Sequence, residues 1–450
     1  MILQLSGEMD EQMTVIDHLL CDDKLLELMS ADFSKRYPLS SLTGRKSTPV
    51  EVIFRMLALK HLRGLSYENT IKNVKESLIL RQFCRVYFNP LPNKSTLIRW
   101  ANTLSEQTLE KMNQRLTQIA THLQITKGTK IRTDGTVVAT NIHFPSDNSL
   151  LGDGVKVISR LLSQAKSIIL ATTKTINLQI FRNRYRTARR ISRQIDSLSK
   201  TRNESGQQKR KQAYIKLIEI TKAAMKQAQK VKILLEKLDS AKSQRILQKC
   251  EIFLPRIEQV VEQAFRRVLN HEKVSAAEKI VSIFEVHTDI ICRGKPNLDV
   301  EFGRKVWLDE VDGGIVSNYR VLKGNPHDTQ QLVSSLDQHL ENFGYPPKLV
   351  SSDRGVYSQS HENYAQTLGI KEVILPQGGY RSKQRIQHER KRNFIKGRYW
   401  HNGVEGRISF LKRCFGFQRC LYRGDIGFQR WVGWGIIAHN LTIISRCLIS

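Results

Sequence analysis

Lys130-Ile-Arg-Thr-Asp-Gly-Thr136, with Val137 and Val138 behind it, is the stretch on which the fold turns. It reads as a short buried strand carrying one carboxylate, Asp134. Thr136, Val137, Val138, Thr140 and Ile142 are good strand formers. Asn141–Pro145 and Asp147-Asn148 leave the strand through a turn. An aspartate near the middle of a strand is costly to bury alone. Asp134 is therefore paired, metal-bound or at the open end of a sheet. One strand cannot make that sheet, so its partners must lie further along the chain.

They return only after residue 280. Lys305–Val311, the turn Asp312-Gly313-Gly314 and Ile315–Leu322 read as a β-hairpin. A helix follows near 329–343, then a strand Pro347–Ser352 that ends in Asp353, a helix Ser360–Leu368 and a strand Glu372–Leu375. A basic loop holds Arg381, Lys383, Arg385, Arg390, Lys391 and Arg392. A helix with Glu405 in His401-Asn-Gly-Val-Glu-Gly-Arg-Ile-Ser-Phe-Leu-Lys412 comes next. This is a mixed α/β order, interrupted after its first strand by a long segment of another character.

That segment, 155–280, lacks strand alternation and holds one proline, Pro255. Residues 151–280 contain 29 Lys+Arg against 11 Asp+Glu, which is +18 of the chain's +30. Arg182, Arg186, Arg189, Arg190 and Arg193 are spaced to share one helical face. Asn203–Gly206 is the expected turn between two long helices. A helix of forty-odd residues would reach roughly 60 Å. A basic helical arm along phosphates and a solvated hairpin used for dimerisation both fit this composition.

Residues 1–128 look helical throughout. Ser47-Thr48-Pro49 marks a helix start, and Val50, Ile53, Met56, Leu57 and Leu62 form its apolar stripe before Gly64. Ser66, Ser77 and Ser95 are candidate caps. Lys94 and Arg99, on a helix behind a turn-rich break, suit a helix-turn-helix reader, and equally an ordinary helical bundle with a basic surface.

A net charge of +30 at 40% hydrophobic residues describes a globular chain whose natural partner is a polyanion, nucleic acid before an anionic membrane. The most apolar tract, Trp431–Ser450, is broken by His439, Asn440 and Arg446 and reads as a packed helix rather than a membrane span. Met1–Asp10 lacks the pattern of a signal peptide. Seven scattered cysteines point to a reducing compartment.

Taken singly, a strand-end aspartate is more often a turn former or an ion-pair partner than a catalyst. Asp289, Asp309, Glu310, Asp312 and Asp328 compete with the three acids above, and ordinary capping accounts for the last four. Three carboxylates facing a polyanion would repel it unless divalent cations intervene. Two Mg²⁺ ions would also activate water or a 3′-hydroxyl. Lys412, two turns after Glu405, points the same way, whereas Arg407 and Arg413 do not and suit phosphate or packing contacts.

The chain resembles bacterial insertion-sequence transposases of the DDE class. The resemblance rests on Ile131-Arg-Thr-Asp-Gly-Thr-Val-Val138, Val350-Ser-Ser-Asp-Arg-Gly355 and His401–Arg413, with support from Phe284–Ile291, Val300–Trp307, Gly433–Asn440 and the Ser47–Trp100 block. It implies an α/β ribonuclease-H-like mixed-sheet catalytic domain over 129–154 and 281–450. An N-terminal all-helical DNA-binding domain over 1–128 and a basic helical insertion over 155–280 would complete the chain. It implies a catalytic and metal-binding set of Asp134, Asp353 and Glu405, two Mg²⁺ ions with Mn²⁺ as a substitute, and cleavage followed by strand transfer. The partners implied are double-stranded DNA, both terminal inverted repeats and target, and a second copy of the chain, in the bacterial cytoplasm and with no membrane. A nuclease that cuts without joining and a catalytically dead DNA-binding protein are the alternatives. Relatives carry a Tyr and an Arg at set spacings before the Glu; here those places hold Arg398 and His401, which with Lys412 are the expected DNA contacts of this helix.

Overall fold

The computed structural model describes residues 9–36, 48–172, 176–201, 203–292 and 300–450. The chain divides into two compact units, one made of 1–141 with 291–450 and the other of 142–290.

The first unit is built on β1, Lys130–Thr140. On one side β1 runs antiparallel to β2 (Glu301–Val311), which turns through Asp312–Gly314 into β3 (Val316–Val321). Gly313 and Gly314 both adopt positive φ in that turn, a conformation open to glycine without steric cost. On its other side β1 runs parallel to β4 (Leu349–Ser352), and β4 runs parallel to β5 (Glu372–Ile374). The order across these five strands is therefore β3-β2-β1-β4-β5. A two-residue strand, Arg419–Cys420, pairs with the far end of β1.

Seven helices precede β1 among the described residues: α1 Glu11–Leu19, α2 Asp23–Arg36, α3 Val50–Leu62, α4 Tyr67–Glu76, α5 Leu78–Phe83, α6 Lys94–Ala101 and α7 Glu106–His122. Ser66 and Ser77 cap α4 and α5 as their positions suggest. The cap of α6 is Asn93 rather than Ser95. At the start of α3, Ser47 lies outside the described residues, and Pro49 is the N-cap with no side-chain cap bond. These helices do not keep a core to themselves: Leu20, Phe54, Leu57 and Met112 share one apolar cluster with Ile131, Trp307 and Val350 of the sheet.

The tract after the sheet is one packed helix, Gly424–Ile449, the last of the chain. It is long and apolar enough to cross a membrane, but 78% of its most apolar window is buried within this unit. Asn440 is fully used there: its amide accepts from the Val316 N–H and donates to the Val316 carbonyl and to Asn113. A buried amide satisfied at three points ties α7, β3 and the last helix into one arrangement.

The second unit is helical, as composition predicts, but its helices are more and shorter than two of forty residues. They are α8 Asp147–Thr172, α9 Tyr185–Leu198, α10 Glu204–Glu236 and α11 Ala241–Ala264. The longest, α10, has 33 residues and Asn203 as its cap. The unit has its own core, with Leu162, Ile191, Leu217 and Val260 among its members. Arg182 precedes α9 and is not on it, so the arginine face of α9 consists of Arg186, Arg189, Arg190 and Arg193, all exposed.

Candidate active site

The register of β1 and β4 brings two of the three acids together. Thr133 pairs with Ser352, and their hydroxyls meet at 3.0 Å on one face of the sheet. Asp134 is the next residue of β1 and Asp353 directly follows the end of β4, so the register continued by one residue brings the two alongside each other. Side chains alternate along a strand. Asp134 therefore faces the same way as Arg132, towards the helix Arg392–Cys414, which packs on β1 and β4. Asp134 is half-buried and accepts the Gly135 N–H at 2.6 Å; Asp353 is exposed and meets His401 Nε2 of that helix at 3.1 Å.

Glu405 lies one helical turn after His401 and is exposed. Among the described residues no three His, Cys, Asp or Glu side chains are gathered closely enough to hold a metal ion, so Glu405 does not join Asp134 and Asp353 in one cluster. His401 is buried, only 7% exposed, and its Nδ1 has no hydrogen-bond partner among the described residues. Lys412 is half-buried two turns beyond Glu405; Arg398 is exposed two turns before it.

Several polar residues have a place other than the one their sequence setting suggests. Glu310 is not a turn acid. It lies in β2 opposite Arg132, 1% exposed, with the Arg132 guanidinium on both of its oxygens at 2.9 and 2.7 Å and Arg407 Nε on Oε1 at 3.1 Å. Arg407 is thus a packing residue and also reaches His439 at 3.1 Å. Asp309 is buried too; burial raises its carboxyl pKa, against Arg320 and hydrogen bonds from Ser335 and Asn318. Asp312 does behave as a turn acid, accepting the Lys127 and Lys130 N–H groups.

The expected basic loop contains a helix, Lys383–Glu389, capped by Ser382. Arg385 is tied to Glu362 and Glu389, and Arg381 to Glu389, so these two arginines brace the chain. In the N-terminal region Lys94 pairs with Glu68 at 2.8 Å, while Arg99 is exposed on α6. The connection from α5 to α6 runs over residues 84–93, longer than the three- to four-residue turn of a helix-turn-helix. Arg81 holds it through the Tyr87 and Asn89 carbonyls.

Sequence reasoning did not find the Arg132–Glu310–Arg407 cluster. The available signal was the alternation that puts Arg132 on the face of Asp134. Nothing local marks Glu310 as its partner.

Comparison with protein families gives two matches. Residues 6–103 match a family model described as a transposase domain, and residues 310–441 one described as a transposase DDE domain. The two together span just over half of the chain. By class the chain is a transposase. More narrowly, it belongs to the insertion-sequence transposases of the DDE class. The second match contains Asp353 and Glu405; Asp134 lies ahead of it. No curated protein and no solved structure matches the chain.

Proposed function

We propose that this transposase cleaves the ends of its insertion sequence and joins the freed 3′-hydroxyls to target DNA, with Asp134, Asp353 and Glu405 as its catalytic carboxylates. What supports the reading most is the register of β1 and β4, with two carboxylates side by side and the Glu405 helix packed on their face. An antiparallel β1-β2-β3 meander with two parallel strands beyond β1 also supports a ribonuclease-H-like fold. Adjacent carboxylates repel unless a cation lies between them, and an all-oxygen donor set suits Mg²⁺. Carboxylate donors of this kind suit the metal that the family implies. Two Mg²⁺ ions bound there would neutralise phosphate charge and lower the pKa of the attacking hydroxyl.

The chain's own groups have distinct tasks. Asp134 and Asp353, set on the sheet, define the fixed half of the site. Glu405, on the helix packed over that face, supplies the third carboxylate. His401 holds Asp353 in orientation. Lys412 and Arg398, on the same helix, bring positive charge to the scissile phosphate and its neighbours. Arg186, Arg189, Arg190 and Arg193 of α9, with Lys94 and Arg99 of α6, hold the duplex through its phosphates, which positions DNA without reading its sequence. Action on two element ends calls for a homodimer.

A labelled terminal-repeat duplex incubated with the protein and Mg²⁺ tests the reading. Joined product is the expected outcome; nicks without joining would make the protein a nuclease. Asp134→Asn and Asp353→Asn should each abolish cleavage and leave end binding intact. Cleavage that survives either change would remove the proposed site.

A further inference from the structure

We propose that Arg132, Glu310 and Arg407 form a positioning device that sets the rotation and height of the Glu405 helix over the strand carrying Asp134. The proposal rests on the reading of Asp134, Asp353 and Glu405 as the metal-binding carboxylates. Arg132 lies two residues before Asp134 on the same face of β1. Its Nε and Nη2 bind Glu310, its Nη1 donates to the Trp400 carbonyl, and its guanidinium lies 4.9 Å from the centre of the Trp400 ring. Arg407 binds the same Glu310 from the other side. Arg132, from the strand, thus holds the helix just before Glu405, Arg407 ties the helix down just after it, and both are fixed to one buried carboxylate of β2.

The glycine two places before Glu405 shows how close that grip is. A Cβ built on Gly403 would lie 2.3 Å from Arg132 Nη1. The helix rests directly on the guanidinium, with no side chain between. On the other side of the cluster, a Cβ on Gly314 would lie 2.3 Å from Arg407 Nη2. Apolar packing alone could hold a helix against a sheet, and a buried ionic cluster adds little net stability over it. What such a cluster does supply is a single geometry, because a forked guanidinium and a second arginine on one carboxylate permit little sliding or rotation. An exposed Glu405 that must meet two strand-borne aspartates needs that geometry.

Gly403→Ala in the full chain is the sharpest test. The substitution puts one methyl against the Arg132 guanidinium, which must give way; the gain in helix propensity offsets part of that cost, so the chain should stay folded and end binding should be unchanged. Mn²⁺ affinity, measured by titration calorimetry, should fall, and Mg²⁺-dependent cleavage should slow, each by about 10- to 100-fold as for other outer-shell changes. In an Arg132→Met background, where Glu310 keeps Arg407 as its partner, Gly403→Ala should have no further effect on either readout. Wild-type Mn²⁺ affinity and cleavage in Gly403→Ala, beside an inactive Asp353→Asn, would overturn the positioning role alone. An active Asp353→Asn would overturn the catalytic reading and the positioning role with it.

Discussion

His339 shows what burial does to a single ionisable group in this chain. It is 1% exposed and stacks on Phe343 at 4.6 Å. Burial lowers its pKa to about 4, and the backbone at Gly128 and the charge of Asp312 offset that only in part. An unfolded histidine titrates near 6.5. Between those values the unfolded chain binds a proton that the folded chain does not, so stability falls as pH drops from 6.5 towards 4. The slope for one such group is about 1.4 kcal/mol per pH unit. His339→Leu should remove that share, so in denaturant melts the variant should lose less stability than wild type between pH 7 and pH 4.5. His439, brought to about 3 by burial and then by Arg407, adds a second contribution of the same sign. Glu310 teaches the complementary lesson. Its neighbours in sequence suggest a hairpin-turn acid, yet the turn begins two residues later and its true neighbour, Arg132, is 178 residues away.

Among elements, α9 carries the clearest division of labour. Ala188, Ile191 and Ile195 face the core of the helical unit, and Arg186, Arg189, Arg190 and Arg193 face outward. Four unshielded guanidiniums on one face are suited to phosphates, where each contact releases counterions. Changing all four to Gln should make the salt dependence of DNA binding shallower, by up to about 0.9 in the log–log slope for each phosphate lost. An unchanged slope, read by fluorescence anisotropy from 50 to 200 mM salt, would show that this face does not touch DNA. The Lys383–Glu389 helix makes the opposite point. A run of basic residues reads as a basic loop, but Arg381 and Arg385 are held by Glu362 and Glu389. Composition alone does not distinguish a bracing arginine from a binding one.

At the scale of the whole molecule, the two compact units have separate apolar cores. Two cores predict two cooperative unfolding steps rather than one. Trp434→Ala, in the first core, should destabilise by about 3–5 kcal/mol and lower one calorimetric transition. Leu217→Ala, in the second, should cost about 2–5 kcal/mol and lower the other. A single transition shifted by both would show the units to be one cooperative body. The N-terminal helices belong to the first of these units, because apolar residues of α1, α3 and α7 pack into the same cluster as β1 and β2. A break in secondary-structure type at residue 128 was visible in the chain; the shared core was not.

What the sequence determined by itself was local: which segments alternate and which turn with helical period, where the basic charge lies, and that an acid stands on one strand, at the end of another and on a later helix. Those properties follow from composition and spacing within a few residues. The tertiary structure alone decided which strands are neighbours and in which register. That register sets Thr133 against Ser352, one residue before Asp134 and Asp353, and Arg132 opposite Glu310. A slip of one residue would turn every one of these side chains to the other face, and no local pattern encodes pairings made across more than 170 residues of intervening chain.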